Sequence, residues 1–218
     1  QYSVGTDDQF VVIHTGINIE PFDIVIDKDK LRRGFGIPSG VYVAGTVARL
    51  SEQKAPEDFI NAAALVHAHL PDLHFLWVGD GPLEDKARAL VSSLDLNDVF
   101  HFAGHQTEIP KMLKLMDCFV LSSHWEGFSI AVLEAMAAAL PVVATRVTGT
   151  SEAIVDGETG LLVEIGDVNG LAVAIQKIIT TPGMLKAMST AARSRAESEF
   201  PYSKMLSKVE NLYSKVLV

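Results

Sequence analysis

Cysteine is nearly absent. Cys118 stands alone, which excludes an internal disulfide framework and fits a reducing compartment. No run of about 18 apolar residues occurs, so the sequence offers no membrane-spanning helix. The longest nearly uncharged stretch, Gly127 to Thr145, contains Glu134 and Pro141 and reads as a buried segment of a folded domain. Basic excess is lacking too: the formal net charge is −9, whereas a nucleic-acid partner is usually met with a basic face. No signal-peptide pattern is visible. No Walker A sequence occurs, and no His/Cys/Asp/Glu spacing suggests a metal site. No histidine follows His124. Gly127-Phe-Ser129-Ile-Ala131 half resembles a nucleophile elbow, but that hydrolase order needs a histidine after the serine.

What is there describes an ordinary globular chain. Of 218 residues, 48% are hydrophobic and 21% charged, which excludes a disordered or fibrous chain. The length allows one large domain or two small ones and needs no staples. The first residue is Gln1 rather than Met, and the expectation is a piece of a longer polypeptide.

Short apolar runs alternate with helical patterns. Strands are predicted at Phe10–His14, Val41–Ala48, Leu73–Val78, Val99–Phe102, Cys118–Leu121, Val142–Thr145 and Gly160–Val163. Helices are predicted at Pro56–Leu70, Leu83–Leu94, Pro110–Leu115, Phe128–Leu140 and Thr150–Val155, then near 167–180, 183–198 and 201–217. This alternation points to βαβ units and a parallel sheet. Its strands are apolar almost throughout, so both sheet faces should be covered. The fold class is therefore α/β, a Rossmann-like three-layer α/β/α domain. Residues 15–40 are the least regular part and read as a linker into the compact body. In the last helix, Met205, Leu206, Val209, Leu212, Tyr213 and Val216 form an apolar stripe. It reads first as a core-packing face and otherwise as one that docks on a further domain.

Ligands of such sheets sit beyond the carboxyl ends of the strands. Gly79-Asp-Gly81 follows a strand but fails as a dinucleotide fingerprint. Glu84 holds the third glycine position, and His101-Phe102 supplies no ribose-binding acid. Glu134 is the only charged residue between Glu126 and Arg146. A carboxylate in so apolar a helix is costly unless paired. It reads either as an exposed glutamate or as an acceptor for a bound hydroxyl pair. Glu126-Gly127 lies at the mouth of the same helix, where the amides of Phe128, Ser129 and Ile130 would be the free first-turn donors, a nest for phosphate. Arg49 and Lys54 follow a strand and supply positive charge, Arg as a planar fork and Lys as a point charge; solvated loop cations are the alternative. These residues suit a phosphorylated sugar or a nucleotide. His105, His124-Trp125 and Trp77 read as surface or core residues.

Several motifs then occur in a familiar order. Val12-Ile-His-Thr-Gly16-Ile-Asn18 resembles "IPNG-V/I-D/N", Val47-Ala-Arg49-Leu-Ser-Glu-Gln-Lys54 resembles "GRL…K", and Trp77-Val-Gly79-Asp-Gly81-Pro82 resembles "VGDGP". Glu126 and Glu134 form an E-x7-E pair within "EGF…LEAMA…PVVAT". Gly149-Thr-Ser-Glu152 and Asp156-Gly-Glu-Thr-Gly160-Leu-Leu complete the series. Together they resemble the C-terminal, donor-binding domain of the retaining family-4 glycosyltransferases, one half of a GT-B fold. Ala48, Ala55, Ala139 and Thr148 stand where that pattern has glycine.

The resemblance implies the following roles. Arg49 and Lys54 would bind the pyrophosphate and stabilise the departing nucleotide diphosphate, with Glu126 on hydroxyls of the donor sugar. Glu134 would take the ribose hydroxyls. Backbone from Gly127, Phe128, Ser129 and Ile130 would surround sugar and phosphate, with His105 and Gln106 at the base and Gly81 among the donor contacts. The donor would be a UDP-, GDP- or ADP-sugar, with no metal and no further cofactor. The implied organisation is an interdomain linker and lead-in strand at 1–22, a donor domain at 23–198, and a helix at 199–218 packed toward an N-terminal acceptor domain. The implied location is cytoplasmic or peripheral at the membrane, with any membrane contact through that other domain. The fragment alone is expected to be inactive. The alternatives are an epimerase or phosphorylase of the same fold, a donor-binding module with no activity of its own, and a glycoside hydrolase using Glu126 and Glu134 as its acid/base pair.

Overall fold

The computed structural model describes Thr6 and residues 9–217. Six strands make one sheet: β1 (Val43–Val47), β2 (His74–Val78), β3 (Phe100–Gly104), β4 (Cys118–Leu121), β5 (Val142–Thr145) and β6 (Gly160–Val163), in the order β3-β2-β1-β4-β5-β6. Every pairing is parallel, from Val43 opposite His74 to Thr145 opposite Val163.

Alternate residues of each strand feed two cores, the period-2 consequence of the pleat. Val43, Leu76, Phe119, Leu121 and Val142 face one layer. Ala44, Phe75, Trp77, Val120 and Val143 face the other. Both sets are apolar because helices cover both faces. The first layer holds α1 (Lys28–Arg33), α4 (Ile109–Leu113), α5 (Ile130–Ala137) and α6 (Thr148–Ala153). The second holds α2 (Pro56–His67), α3 (Glu84–Ser93) and α7 (Val168–Thr180). The long helix α8 (Met184–Glu199) bridges them, with Ala192 and Ala196 in one core and Met188 in the other.

Strand order reverses about β1 and β4, the topological switch point where open α/β sheets leave a crevice at the carboxyl ends. Since all strands are parallel, the loops after β1, β2, β3, β4 and β5 emerge on that one edge.

Three expectations are corrected. Phe10–His14 forms no strand; Phe10, Val11 and Val12 are 59%, 61% and 72% exposed. The first backbone pairing there comes at Ile17, whose amide donates to the Phe200 carbonyl at 2.9 Å while its carbonyl accepts from Tyr202 at 2.9 Å. The segment is thus tied to the turn after α8 rather than to the sheet. Residues 15–40, expected to be irregular, contain α1 and the buried Phe22, Arg32 and Ile37. The Arg32 guanidinium donates to the Leu115 carbonyl at 2.6 and 2.9 Å, to the Val41 carbonyl at 2.8 Å and to Asp117 Oδ2 at 2.7 Å. Asp117 also accepts from the Val43 amide at 2.8 Å, so a buried charge is paired and hydrogen-bonded as burial demands. Finally, α9 (Tyr202–Val216) does not pack into the core. None of its described residues is buried, and Tyr213 and Val216 are 64% and 74% exposed.

The family glycine positions also find a backbone explanation. Ala55 has φ 44° and Ala139 φ 61°, both left-handed. Ala139 closes α5 in a Schellman motif: the Leu140 amide donates to Ala135 and the Ala139 amide to Met136, each at 3.0 Å. Thr148 needs no such freedom, being the exposed first residue of α6.

Candidate functional site

The loop after β1 runs from Ala48 to Ala55 and carries Arg49 and Lys54. It is braced by the loop after β2. The Leu50 amide donates to the Asp80 carbonyl at 2.8 Å, and the Leu83 amide to the Leu50 carbonyl at 3.0 Å. Gly81 permits this closeness, since a Cβ there would lie 2.3 Å from the Leu50 carbonyl oxygen and its φ is 157°. From the core, Trp77 Nε1 donates to the Ala48 carbonyl at 2.9 Å, a partner a buried indole requires. Arg49 is left exposed. It lines a cavity of about 410 Å³ with Gly79, Asp80, His105 and Gln106. The loops after β1, β2 and β3 thus bring Arg49, one of the two expected pyrophosphate contacts, and the expected base contacts His105 and Gln106 into one concavity, while Lys54 lies outside it. Gln106 is fixed by its Nε2, which donates to the Ala103 carbonyl at 2.8 Å; His105 is exposed.

Lys54 meets the loop after β4. Its ammonium donates to Glu126 Oε1, and Ser123 Oγ donates to the same oxygen at 2.7 Å. The Lys54 and Glu126 side chains are 18% and 7% exposed. The two loops are stitched together by backbone. The His124 amide donates to the Gln53 carbonyl at 2.9 Å, and Gln53 Nε2 donates to the Trp125 carbonyl at 3.0 Å. Ser122 Oγ reaches the Lys54 and Ala55 carbonyls at 2.9 and 3.0 Å. This lacing holds a cation and a carboxylate side by side.

Helix α5 begins later than the sequence suggested. Ser129 is its N-cap residue and Ile130 its first helical residue, so the free first-turn amides are those of Ile130, Ala131 and Val132. Phe128 and Ser129 precede that turn. Phe128 is held instead by rings, 4.7 Å from His14 and 5.5 Å from Phe200. Glu134, a turn further along, is half-buried. Burial raises its pKa above the ordinary carboxylate value, and no cation offsets that shift. Glu134 is thus a partly desolvated carboxylate.

Sequence reasoning missed Ser123, which orients Glu126, and Gln53, which joins the two loops. It also missed the pairing of His14 with Glu152, whose Nε2 and Oε2 are 2.6 Å apart. Both belong to quoted motifs, but 138 residues separate them. Among the described residues there is no group of three or more His, Cys, Asp or Glu side chains that could hold a metal ion. No described helix is long and apolar enough to cross a membrane.

A family model described as glycosyl transferases group 1 matches residues 27–195. The chain belongs to this family. Among curated relatives of the group 1 glycosyl transferases, the N-acetyl-alpha-D-glucosaminyl L-malate synthase of Bacillus anthracis is 31% identical over 191 residues, 88% of this chain and 50% of the relative. The chain spans about half the length of the curated relatives it matches. Among solved structures, Anabaena HepE in complex with UDP and glucose superposes with a TM-score of 0.87 at 25% identity, covering 96% of this chain and 58% of that one. The C-terminal domain of a group 1 family protein from Francisella tularensis, LpcC, matches with a TM-score of 0.77 at 26% identity, covering 85% of this chain and 99% of that one. The Rossmann-like α/β fold is that of GT-B glycosyltransferases.

Proposed function

We propose that this chain is the donor half of a retaining, metal-independent glycosyltransferase, gripping a nucleotide-diphosphate sugar whose glycosyl group passes to an acceptor held by an N-terminal domain. The observation that carries the reading is the convergence of Arg49, His105 and Gln106 on one cavity, next to a loop where Lys54 and Glu126 are already paired. Arg49 and Lys54 bind the pyrophosphate and neutralise the charge that develops as the nucleotide diphosphate leaves. Glu126 meets the donor sugar, Glu134 the ribose hydroxyls, and the Gly127–Ile130 backbone the sugar and phosphate. Gly81 lets the loops after β1 and β2 close against each other. Because these groups are fixed in advance, catalysis is positioning plus electrostatic stabilisation, with little reorganisation at the moment of bond breaking. The nucleotide-bound HepE neighbour and the family description support transfer over epimerisation or phosphorolysis. The match to an isolated C-terminal domain supports a self-contained donor unit, taken as 23–198, with 1–22 as the interdomain linker, of which 1–5, 7 and 8 lie outside the described residues, and with the exposed part of α9 packing toward the N-terminal domain. The chain alone is then expected to bind donor and not to turn it over.

Calorimetry with UDP-, GDP- and ADP-sugars tests this, with the Arg49→Ala and Glu134→Gln variants. The wild-type chain should bind at least one of them, and each variant should weaken that binding about tenfold, or 1.4 kcal/mol. The ionised Glu134 is the form that accepts from hydroxyls. Its raised pKa therefore makes wild-type affinity fall on mild acidification, before an ordinary carboxylate would protonate, and Glu134→Gln should lose that dependence. No binding to any donor, or binding indifferent to both variants, would sink the proposal.

A further inference from the structure

Beside the donor loops lies a second concavity of about 340 Å³, on the side of α2 and α3. Trp125 forms part of its wall. The chain has two tryptophans that differ sharply: Trp77 is 1% exposed in the core, whereas Trp125 is 56% exposed. What sets Trp125 apart from other exposed rings is its place in a pocket wall with several polar groups, the composition of a small-molecule site. It is also not floating. Its carbonyl is held by Gln53 at 3.0 Å, and its ring lies 6.5 Å from that of His124, which is itself bound to Asp58 Oδ2 at 2.9 Å.

Glu52, Glu57 and Asp58 supply carboxylates around the same pocket, with Lys86 the lysine among its lining residues. Glu57 is engaged by Lys86 and Asp58 by His124. Lys86 offsets one of the three negative charges and His124 engages a second carboxylate, so the pocket stays acidic, and each carboxylate keeps further lone pairs for donors. One aromatic wall plus partly engaged acceptors suits a neutral ligand rich in hydroxyls. An anion would meet three acids, and a quaternary cation would find one ring where a cage needs several. The volume, near the lower end of ligand pockets at about 300–1,000 Å³, accommodates one or two pyranose rings.

We infer that the Trp125 pocket is a second carbohydrate subsite, which stacks a neutral sugar ring on the indole and takes its hydroxyls on Glu52, Glu57 and Asp58. The inference rests on the glycosyltransferase reading of the adjacent donor site. Trp125 immediately precedes Glu126, and Gln53 immediately precedes Lys54. A saccharide seated here therefore bears on the two segments that hold the Lys54–Glu126 pair. Its place suits an extended glycan acceptor running past the donor, rather than the donor itself.

Tryptophan fluorescence tests it directly, because Trp125 is the solvent-exposed fluorophore. The chain is titrated with neutral oligosaccharides of glucose, mannose, galactose and N-acetylglucosamine, with choline as the cationic control. At least one oligosaccharide should produce a saturable blue shift at millimolar concentration, and choline should not. In Trp125→Phe that emission signal is gone, so binding is followed by calorimetry. Trp125→Ala should lower saccharide affinity tenfold or more, Trp125→Phe less, and Asp58→Asn about threefold. UDP binding measured in parallel should stay within twofold in Trp125→Ala. If saccharides leave both emission and heat unchanged while UDP still binds, the subsite is refuted and the donor reading stands. A choline response without a saccharide response, or saccharide affinity untouched by Trp125→Ala, also overturns it.

Discussion

Replacing Gly149 by alanine tests whether α6 sets the position of the Glu126 loop. A Cβ at this position would lie 1.2 Å from the Gly127 carbonyl oxygen, 2.3 Å from its carbon and 3.0 Å from the Phe128 Cα. All three are backbone atoms, so no side chain can swing aside. A relaxed non-bonded contact needs roughly 3.5 Å, so the two segments must part by about 2 Å. Overpacking of this kind typically costs about 1–3 kcal/mol. For a chain of this length that lowers the melting temperature by roughly 2–12 °C. The functional effect should be larger than the loss of stability suggests, because the displaced segment carries Glu126 and leads into α5. Misplacing a reacting group by about 1 Å is enough to cost on the order of 100-fold. UDP-sugar affinity, which needs the same loop, should fall at least about tenfold. Gly127→Ala is the matched control for folding. Its Cβ would meet nothing within 4 Å and its φ is not left-handed, so stability should stay within about 0.5 kcal/mol. Thermal unfolding and calorimetry on the two variants decide the matter. A Gly149→Ala chain with wild-type melting temperature and donor affinity would show that the close approach of α6 to this loop has no consequence.

Two further substitutions read the backbone and the core. Ala139→Gly relieves a left-handed alanine, worth about 1–2 kcal/mol, against roughly 0.4–1 kcal/mol of added unfolded-state entropy. The variant should be slightly more stable in urea, and a lowered unfolding midpoint would contradict the Schellman assignment. His74 and His101 stack with ring centroids 5.2 Å apart and a 2.9 Å contact between Nδ1 and Nε2. Burial, then the charge of His74, pushes His101 from 6.5 down to about 4. Burial and Arg32 also lower His74. The unfolded chain takes up these protons first, so the stability is fully present above pH 6.5 and is lost as pH falls toward 4. Urea midpoints between pH 7.5 and 4.5 should show that decline, and His101→Gln should flatten it; equal slopes would refute the linkage.

Much of this molecule is legible along the chain, because its signals are local. Cys118–Leu121, Val142–Thr145 and Gly160–Val163 form strands with the predicted bounds. Runs of four apolar residues between turns have few other ways to bury both faces. Pro56 marks the start of α2, and Asp167 caps α7 by accepting from the Gly170 amide at 2.8 Å. The Glu126–Glu134 spacing and the two cations after β1 are likewise written in residue order. Local pattern fails where the partner lies far off. Phe10–Val12 has strand composition but no ladder to join, and α1 is too short to announce itself. What fixes α1 is Arg32 reaching Asp117, 85 positions away.

By itself, then, the sequence determined the alternation of elements, the parallel sheet and the candidate ligand residues, since hydrophobic period and turn chemistry act over a few residues. Only the tertiary structure decided that Arg49 shares a cavity with His105 and Gln106, that Ser123 and Lys54 both reach Glu126, that α9 stays outside the core, and that Trp125 stands beside three carboxylates. Each of those depends on which loops the strand order brings to one edge. That order is set by packing two cores at once, a global constraint that no short window of residues contains.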